Sequence, residues 1–168
     1  MKHLNKVIGI AIVILIGTLF TSFIASAQVG SEPRTSARGD RIVGLWDVQV
    51  SVANCAGGPT FATFPGLHKY ELGGTGQIVP GTNPSALSAH MMVWTHLGGN
   101  DYLSRIKMYR FDASGQRIGW TVMTNEVSIN EDANEYTGTG VAEFFDNAGN
   151  FLSASCPSFA GTRFTAEP

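Results

Sequence analysis

Three histidines, His68, His90 and His96, are the side chains of this sequence best suited to chemistry near neutral pH. An imidazole with an ordinary pKa of ~6.5 can transfer a proton or ligate a metal at that pH. Two-residue alternation places His68 on the face of Tyr70, opposite charged neighbours, so we expect it to point inward. His90 and His96 share a face with Trp94, but both faces of that segment are apolar and its direction stays open.

The spacing of the histidines restricts the sites that they could form. His90 and His96 are six residues apart, or ~20 Å along a strand, so they cannot ligate one metal ion together. His68 could share an ion with one of them if the strand register allowed it. Three uses stay open: hydrogen-bonded residues lining an interior, a metal or haem site, or a general acid and base. The first use is favoured, so we predict neither a metal nor another cofactor.

The two cysteines, Cys55 and Cys156, predict a disulfide. They lack the Cys-x-x-Cys spacing of a redox pair, and two cysteines cannot complete a cysteine-rich zinc site. In an exported protein such an isolated pair is most simply a structural bridge. Chain-entropy estimates indicate that a disulfide closing a loop of ~100 residues stabilises the folded state by ~4–5 kcal/mol.

Other chemical motifs are missing or stand in the wrong context. The glycine-rich stretches 73–76 and 138–140 do not open helices, so they are not phosphate cradles. Residues 146–150 lack the distal Glu of a calcium loop, and no Gly-x-Ser-x-Gly elbow occurs. Enzymatic activity therefore stays undecided. The net charge of −2 argues against a nucleic-acid partner.

The first 27 residues have the features of an export signal. Lys2 and Lys6 form a short basic region, an apolar segment covers 7–20, and Ala25-Ser26-Ala27 gives a small-x-small cleavage pattern. A retained anchor is the alternative, because 7–27 is long enough to span a bilayer. We predict cleavage, a flexible polar leader over 28–40, no stable membrane span afterwards, and a secreted or periplasmic product.

From residue 41 onward the sequence follows a two-residue period that is interrupted by turn signals. Trp46, Val48 and Val50 alternate with polar residues in the clearest case. Glycine and Asx clusters separate the apolar segments, as they do in hairpins. The pattern predicts eight strands, at 42–54, 60–72, 75–80, 90–97, 102–111, 117–129, 135–146 and 151–165. The connection 81–89 could hold one helical turn.

Short connections between consecutive strands are typical of an antiparallel up-and-down meander. Eight such strands can close into a barrel and remove the sheet edges, whereas a two-sheet sandwich usually needs long crossovers. We therefore predict an all-β fold, a single antiparallel eight-stranded up-and-down barrel over 41–168. Gly138 and Gly140 fall on one face of the seventh strand, where they could leave room for a ligand or permit sharp coiling.

The first and last predicted strands each carry a short motif: Gly44-Leu45-Trp46 begins the first, and Arg163 lies on the last. Together they resemble the calycin superfamily, the lipocalin-like barrels, in which an Arg of the last strand covers the Trp of Gly-x-Trp at the closed end. Physically, a closed meander pairs these strands, and an Arg there can cover the indole and cap carbonyls. The resemblance implies a cup for a small apolar or amphipathic molecule.

The interior of such a barrel would be lined by inward residues of the second, fourth and fifth strands. We predict that the following residues contact a ligand: His68, Tyr70, His90, Met92, Trp94, His96, Tyr102, Ser104 and Met108. A second set is predicted to have structural roles: Gly44, Trp46, Arg163, Cys55 and Cys156.

Three functions fit these features, and the favoured one is an exported protein that binds a small hydrophobic molecule. The second is a small barrel enzyme of isomerase or cyclase type, in which His68, Tyr70 or His96 carries protons. The third is a ligand-free envelope scaffold with exposed apolar residues on its outer face. These outer residues are Val43, Leu45, Val141 and Phe145. We expect a monomer or a weak homodimer.

Overall fold

A computed structural model describes residues 39–82 and 84–166. The predicted signal peptide and residues 28–38 of the predicted leader lie outside the described residues. The strands are β1 (Gly44–Ala53), β2 (Ala62–Glu71), β3 (Thr75–Pro80), β4 (His90–Gly98), β5 (Asp101–Phe111), β6 (Arg117–Ile129), β7 (Glu135–Phe145) and β8 (Phe151–Arg163). A short 3-10 turn, Pro84–Ala86, lies in the connection between β3 and β4.

The strands form one closed antiparallel barrel in chain order, so the predicted eight-stranded up-and-down barrel is confirmed. Each strand pairs with its sequence neighbours, and β1 also pairs with β8. This closing ladder runs from Trp46 opposite Arg163 to Ala53 opposite Cys156. Within residues 39–82 and 84–166, closure pairs both edges of the sheet, which would otherwise be open to other strands. No helix in the described part of the chain is long and apolar enough to cross a bilayer.

Aspartates shape two of the hairpin turns. The Asp112 carboxylate accepts hydrogen bonds from the backbone N–H groups of Ser114 and Gln116, both at 2.9 Å. Gly115 follows with φ 80°, a conformation that glycine adopts without strain. Asp146 organises the turn between β7 and β8 in the same way. Hydrogen bonds from the side chains of Ser114 and Asn150, together with these backbone donors, lower the pKa of the Asp112 and Asp146 carboxyls, respectively.

Aromatic side chains fill one end of the barrel interior, which we call the closed end. Trp46 is fully buried there, and its ring lies 5.0 Å from that of Tyr136 in an edge-on arrangement. The Tyr70 ring packs edge-on against the Trp94 ring, with ring centroids 6.1 Å apart. The guanidinium carbon of Arg163 lies 4.2 Å from the Trp46 ring centroid, so the last strand covers the Trp of the first.

The predicted disulfide is confirmed, since Cys55 and Cys156 are bonded and their Cα atoms are 4.9 Å apart. Cys55 lies just beyond β1, and Cys156 is the β8 partner of Ala53. The bond therefore stands where the closing ladder ends, opposite the closed end.

The outer face of the barrel carries a small aromatic cluster beside the turn between β7 and β8. Trp120 stacks on Phe145 with ring centroids 5.8 Å apart, and the Lys107 ammonium lies 5.3 Å from the Trp120 ring. Among the four apolar residues assigned to the outer face, Val141 is exposed, and the other three are half-buried.

Candidate ligand-binding site

A cavity of about 520 Å³ lies inside the barrel at the end away from Trp46. Its apolar wall includes Val50, Phe64, Met108, Met123 and Phe159, which five different strands contribute. The strand alternation that buries one face of each strand points these side chains inward. The volume falls within the ~300–1,000 Å³ range of small-molecule sites.

Two histidines lie close together in this wall. His68 on β2 pairs with Ile78 on β3, which pairs with His90 on β4, and we call these three residues the histidine row. Both imidazoles line the cavity, although His68 is 3% and His90 4% exposed. Because neighbouring strands are ~4.8 Å apart, the two histidine Cα atoms are separated by ~10 Å.

The histidine row forms the floor of the cavity, next to the closed end. The Tyr136 hydroxyl and His68 Nδ1 are hydrogen-bonded at 2.7 Å. Since the Tyr136 ring also packs on Trp46, this bond connects the cavity floor to the aromatic cluster. Burial raises the pKa of the Tyr136 and Tyr70 phenols, so both keep their protons at neutral pH. The phenol thus fixes the orientation of the His68 ring.

His90 has hydrogen-bonding capacity that the protein does not use. Neither Nδ1 nor Nε2 has a hydrogen-bond partner among the described residues, although both are buried. Burial lowers the pKa of His90 to about 4. Burial, and secondarily the proximity of His90, lowers the pKa of His68 to about 3. Both rings are therefore neutral at pH 7, and a neutral imidazole donates through one nitrogen and accepts through the other.

The mouth of the cavity is more polar than its wall. Asn54, Thr82 and Arg110 line it, and the Arg110 guanidinium lies 5.2 Å from the Phe144 ring centroid. Among the described residues that line the cavity, only Arg110 is charged, and none is a carboxylate. The site therefore combines a cation at its entrance, an apolar wall and neutral imidazoles at its floor.

Three of the nine residues predicted to contact a ligand line the cavity: His68, His90 and Met108. The other six lie elsewhere in the barrel: Tyr70, Met92, Trp94, His96, Tyr102 and Ser104. Four of these six are buried in the core, and the remaining two are half-buried. His96 belongs to the closed end, where its Nε2 lies 3.1 Å from the Gly99 carbonyl oxygen. The structure thus brings His68 near His90 and leaves His96 apart.

Several lining residues were not among the predicted ligand contacts. Phe159 and Ser155 lie on one face of β8, and the alternation of that strand could have indicated them. Thr121 also lines the cavity, but both faces of β6 are mixed in polarity and gave no direction. Arg110 would have been assigned to solvent from its charge alone.

Gly138 and Gly140 serve the packing of β7 against β6. A Cβ atom at Gly138 would lie 2.5 Å from the Glu126 carbonyl oxygen. One at Gly140 would overlap the Asn125 side-chain oxygen. Neither glycine borders the cavity, so they do not make room for a ligand there, and their close contacts show instead that they allow β7 to approach β6.

The stability of the protein is expected to fall as the pH drops below about 6.5, the ordinary value for imidazole. The folded-state pKa values of His68 and His90, about 3 and about 4, are lower than that value. The unfolded chain therefore binds more protons as the pH falls, and each histidine contributes up to ~1.4 kcal/mol per pH unit. Their full stabilisation is present above pH ~6.5 and is lost progressively toward the folded-state values.

Urea unfolding of the wild type and of His90→Leu between pH 7 and 5 measures this effect. The variant should lose about half of the slope in this window, because one of the two buried imidazoles is gone. The window lies above the range in which carboxyls such as Asp112 titrate, so the histidines dominate it. Equal slopes in the two proteins would contradict the prediction.

In the described ranges, 39–82 and 84–166, no group of three His, Cys, Asp or Glu side chains could hold a metal ion. No protein-family profile matches the sequence, and no curated protein or solved structure is significantly similar to it. The interpretation of the site therefore depends on its own geometry: an apolar cavity with a cationic entrance and a neutral, hydrogen-bonding floor.

Proposed function

We propose that this protein is an exported binding protein that holds a small hydrophobic or amphipathic molecule inside its barrel. The observation that carries the proposal is the cavity of about 520 Å³, whose wall is mostly apolar and whose polar groups include Arg110 at the mouth and two neutral histidines at the floor. Ligand sites generally combine such a wall with a small number of orienting polar groups. The contact of Arg163 with Trp46 next to Gly44 supports an assignment to the lipocalin-like calycin barrels.

Two observations support export. The Cys55–Cys156 disulfide is of the kind that persists in oxidising compartments such as the periplasm or the extracellular space. The first 27 residues have the basic, apolar and small-residue regions of a signal peptide. These two features together support secretion or periplasmic localisation.

The structure suggests how an amphipathic ligand would be oriented. Its apolar body would contact Phe64, Phe159 and Met123, and a polar group would lie at one of the two ends, the mouth beside Arg110 or the floor beside the histidines. Burial of the apolar surface supplies most of the affinity, and the polar ends set the orientation.

A small enzyme that uses the same cavity is the second candidate, favoured by the hydrogen bond between His68 and Tyr136. However, a histidine with a pKa of about 3 is a weak base at pH 7, and an efficient general base has a pKa near the working pH. Binding is therefore favoured over proton transfer.

Filling the cavity should abolish ligand binding. We expect that Ala142→Phe, which places a ring in the lining, weakens binding of the fluorescent apolar probe N-phenyl-1-naphthylamine at least ~10-fold. The matched control is Val141→Phe, because Val141 is the next residue on β7 and is 41% exposed on the outer face. Fluorescence titration gives the affinities. Circular dichroism verifies that Ala142→Phe is folded, since overpacking costs ~1–3 kcal/mol.

The proposal predicts saturable binding by the wild type and by Val141→Phe. Probe fluorescence that does not saturate in the wild type, or that is identical in Ala142→Phe, would show that the cavity is not the binding site.

A further inference from the structure

The floor of the cavity contains a polar side chain whose hydrogen-bonding capacity no described residue uses. His90 lines the cavity and is only 4% exposed. Neither of its ring nitrogens has a hydrogen-bond partner among the described residues. Buried polar side chains without a protein partner are uncommon in folded proteins. A molecule that enters the cavity therefore meets an imidazole that can still donate one hydrogen bond and accept another.

His68 adds a second imidazole to the same floor. It stands in the histidine row on the other side of Ile78, and its Nδ1 is occupied by the Tyr136 hydroxyl. The phenol holds this ring in place, so the floor presents a fixed ring beside one with two unused nitrogens. A hydroxyl group suits this pair because it can donate to one nitrogen while it accepts from another.

Charged groups do not suit the floor. The cation of the lining, Arg110, belongs to the mouth, and no carboxylate lines the cavity within the described residues. An ionic group at the floor would therefore lose its hydration without an opposite charge nearby, and this is far more costly than burial of a hydrogen-bonded hydroxyl.

We propose that the ligand is a compact apolar molecule with one neutral hydroxyl group, an alcohol or a phenol, and that His90 is the specificity-determining residue that binds this hydroxyl at the cavity floor. This inference rests on the proposed binding function and narrows its ligand class. The apolar body of the ligand fills the space between Phe64 and Phe159, and the hydroxyl end points away from the mouth.

Three probes with the same two-ring skeleton test the inference: naphthalene, 2-naphthol and 2-naphthoate. At pH 7 they carry no polar group, a neutral hydroxyl and an anionic carboxylate, respectively. Calorimetric titration of the wild type should show 2-naphthol binding ~10-fold more tightly than naphthalene, the ratio expected for one net hydrogen bond. The anion should bind more weakly than 2-naphthol.

His90→Leu should reduce the ratio of 2-naphthol to naphthalene affinity to about one while naphthalene binding is maintained. His90→Gln, which keeps a donor and an acceptor, should retain most of the ratio. Met91→Leu is the matched control, because Met91 is the next residue on β4 and is 60% exposed, and it should behave as the wild type.

The outcomes separate this inference from the proposed function. Equal affinities for naphthalene and 2-naphthol in the wild type would overturn the hydroxyl assignment but leave the binding function in place. An equal loss of affinity for naphthalene and 2-naphthol in His90→Leu would show that His90 shapes the cavity and does not bind the hydroxyl. Tighter binding of 2-naphthoate than of 2-naphthol would overturn the preference for a neutral group. Failure of all three probes to bind would count against the binding function itself.

Discussion

Replacing both Cys55 and Cys156 by serine is expected to lower the free energy of unfolding by about 2–5 kcal/mol. The bond spans 101 residues and so restricts most of the unfolded barrel. Chain-entropy estimates give ~4–5 kcal/mol for a loop of that length. A typical domain is stable by only ~5–15 kcal/mol, so the loss is a large fraction of the total.

Urea unfolding, followed by tryptophan fluorescence, measures this loss. The control is the double substitution Ser51→Ala and Ser158→Ala, since these residues pair across the same two strands at a neighbouring position. It should change the stability by less than ~0.5 kcal/mol. An unfolding free energy of the cysteine-free variant equal to that of the control would show that the closed ladder, and not the bond, provides the stability.

The position of the bond also has a consequence for the site. Cys55 belongs to the connection between β1 and β2, and two other residues of this connection, Asn54 and Phe61, line the cavity. The disulfide fixes this connection to β8, where the β1–β8 ladder ends at Ala53. The bond therefore stabilises the open end, while aromatic packing stabilises the closed end.

The fold could be predicted from the sequence because its signals are local. Alternation in β1 and the Asx and glycine turns at 112–115 and 146–150 set the strand boundaries, and each predicted strand agrees with the structure to within two residues at either end. Turn residues act through backbone conformation and hydrogen bonds to nearby N–H groups, and these depend on a few neighbouring positions. The short connections then leave little alternative to an antiparallel meander.

The site was harder to predict because it depends on contacts between distant parts of the chain. Alternation indicates that His68 points inward, but it does not tell which level of the barrel is filled by rings and which is open. The packing of Tyr136 against Trp46 decides this, and these residues come from opposite ends of the domain. His90 and His96 share a strand face, yet one lines the cavity and the other contacts the Gly99 carbonyl at the closed end.

Loss of the Arg163 side chain should destabilise the barrel by at least ~3 kcal/mol, because several charge-assisted hydrogen bonds and a cation–π contact disappear together. Its guanidinium donates to the carbonyl oxygens of Arg41, Val43 and Ala133 at 2.5–2.8 Å and covers the Trp46 ring. These contacts connect the segment before β1 and the turn before β7 to the end of β8. We call the guanidinium with its three acceptors the arginine fork. Removing it leaves these three backbone carbonyls without their Arg163 donor at a half-buried position.

Graded substitutions test whether the geometry of the fork matters. Arg163→Lys keeps the charge but cannot reach three separate carbonyls, so it should lose about half as much stability as Arg163→Ala. Arg105→Ala removes an exposed arginine from the outer face of β5 and should change the stability by less than ~0.5 kcal/mol. If Arg163→Lys were as stable as the wild type, charge alone would account for the effect and the fork would be irrelevant.

The same arginine explains why the motif before Trp46 begins with glycine. Gly44 has φ 138°, and a Cβ atom there would lie 2.6 Å from the nearest guanidinium nitrogen of Arg163. Gly44→Ala should therefore displace the guanidinium as well as strain the backbone. Gly44→Ala should lower the free energy of unfolding by less when Arg163 is already replaced by alanine. Unfolding measurements on both single variants and the double variant should therefore give a coupling energy above ~0.5 kcal/mol. Additive losses would mean that Gly44 is required for its backbone conformation alone and does not make room for the arginine.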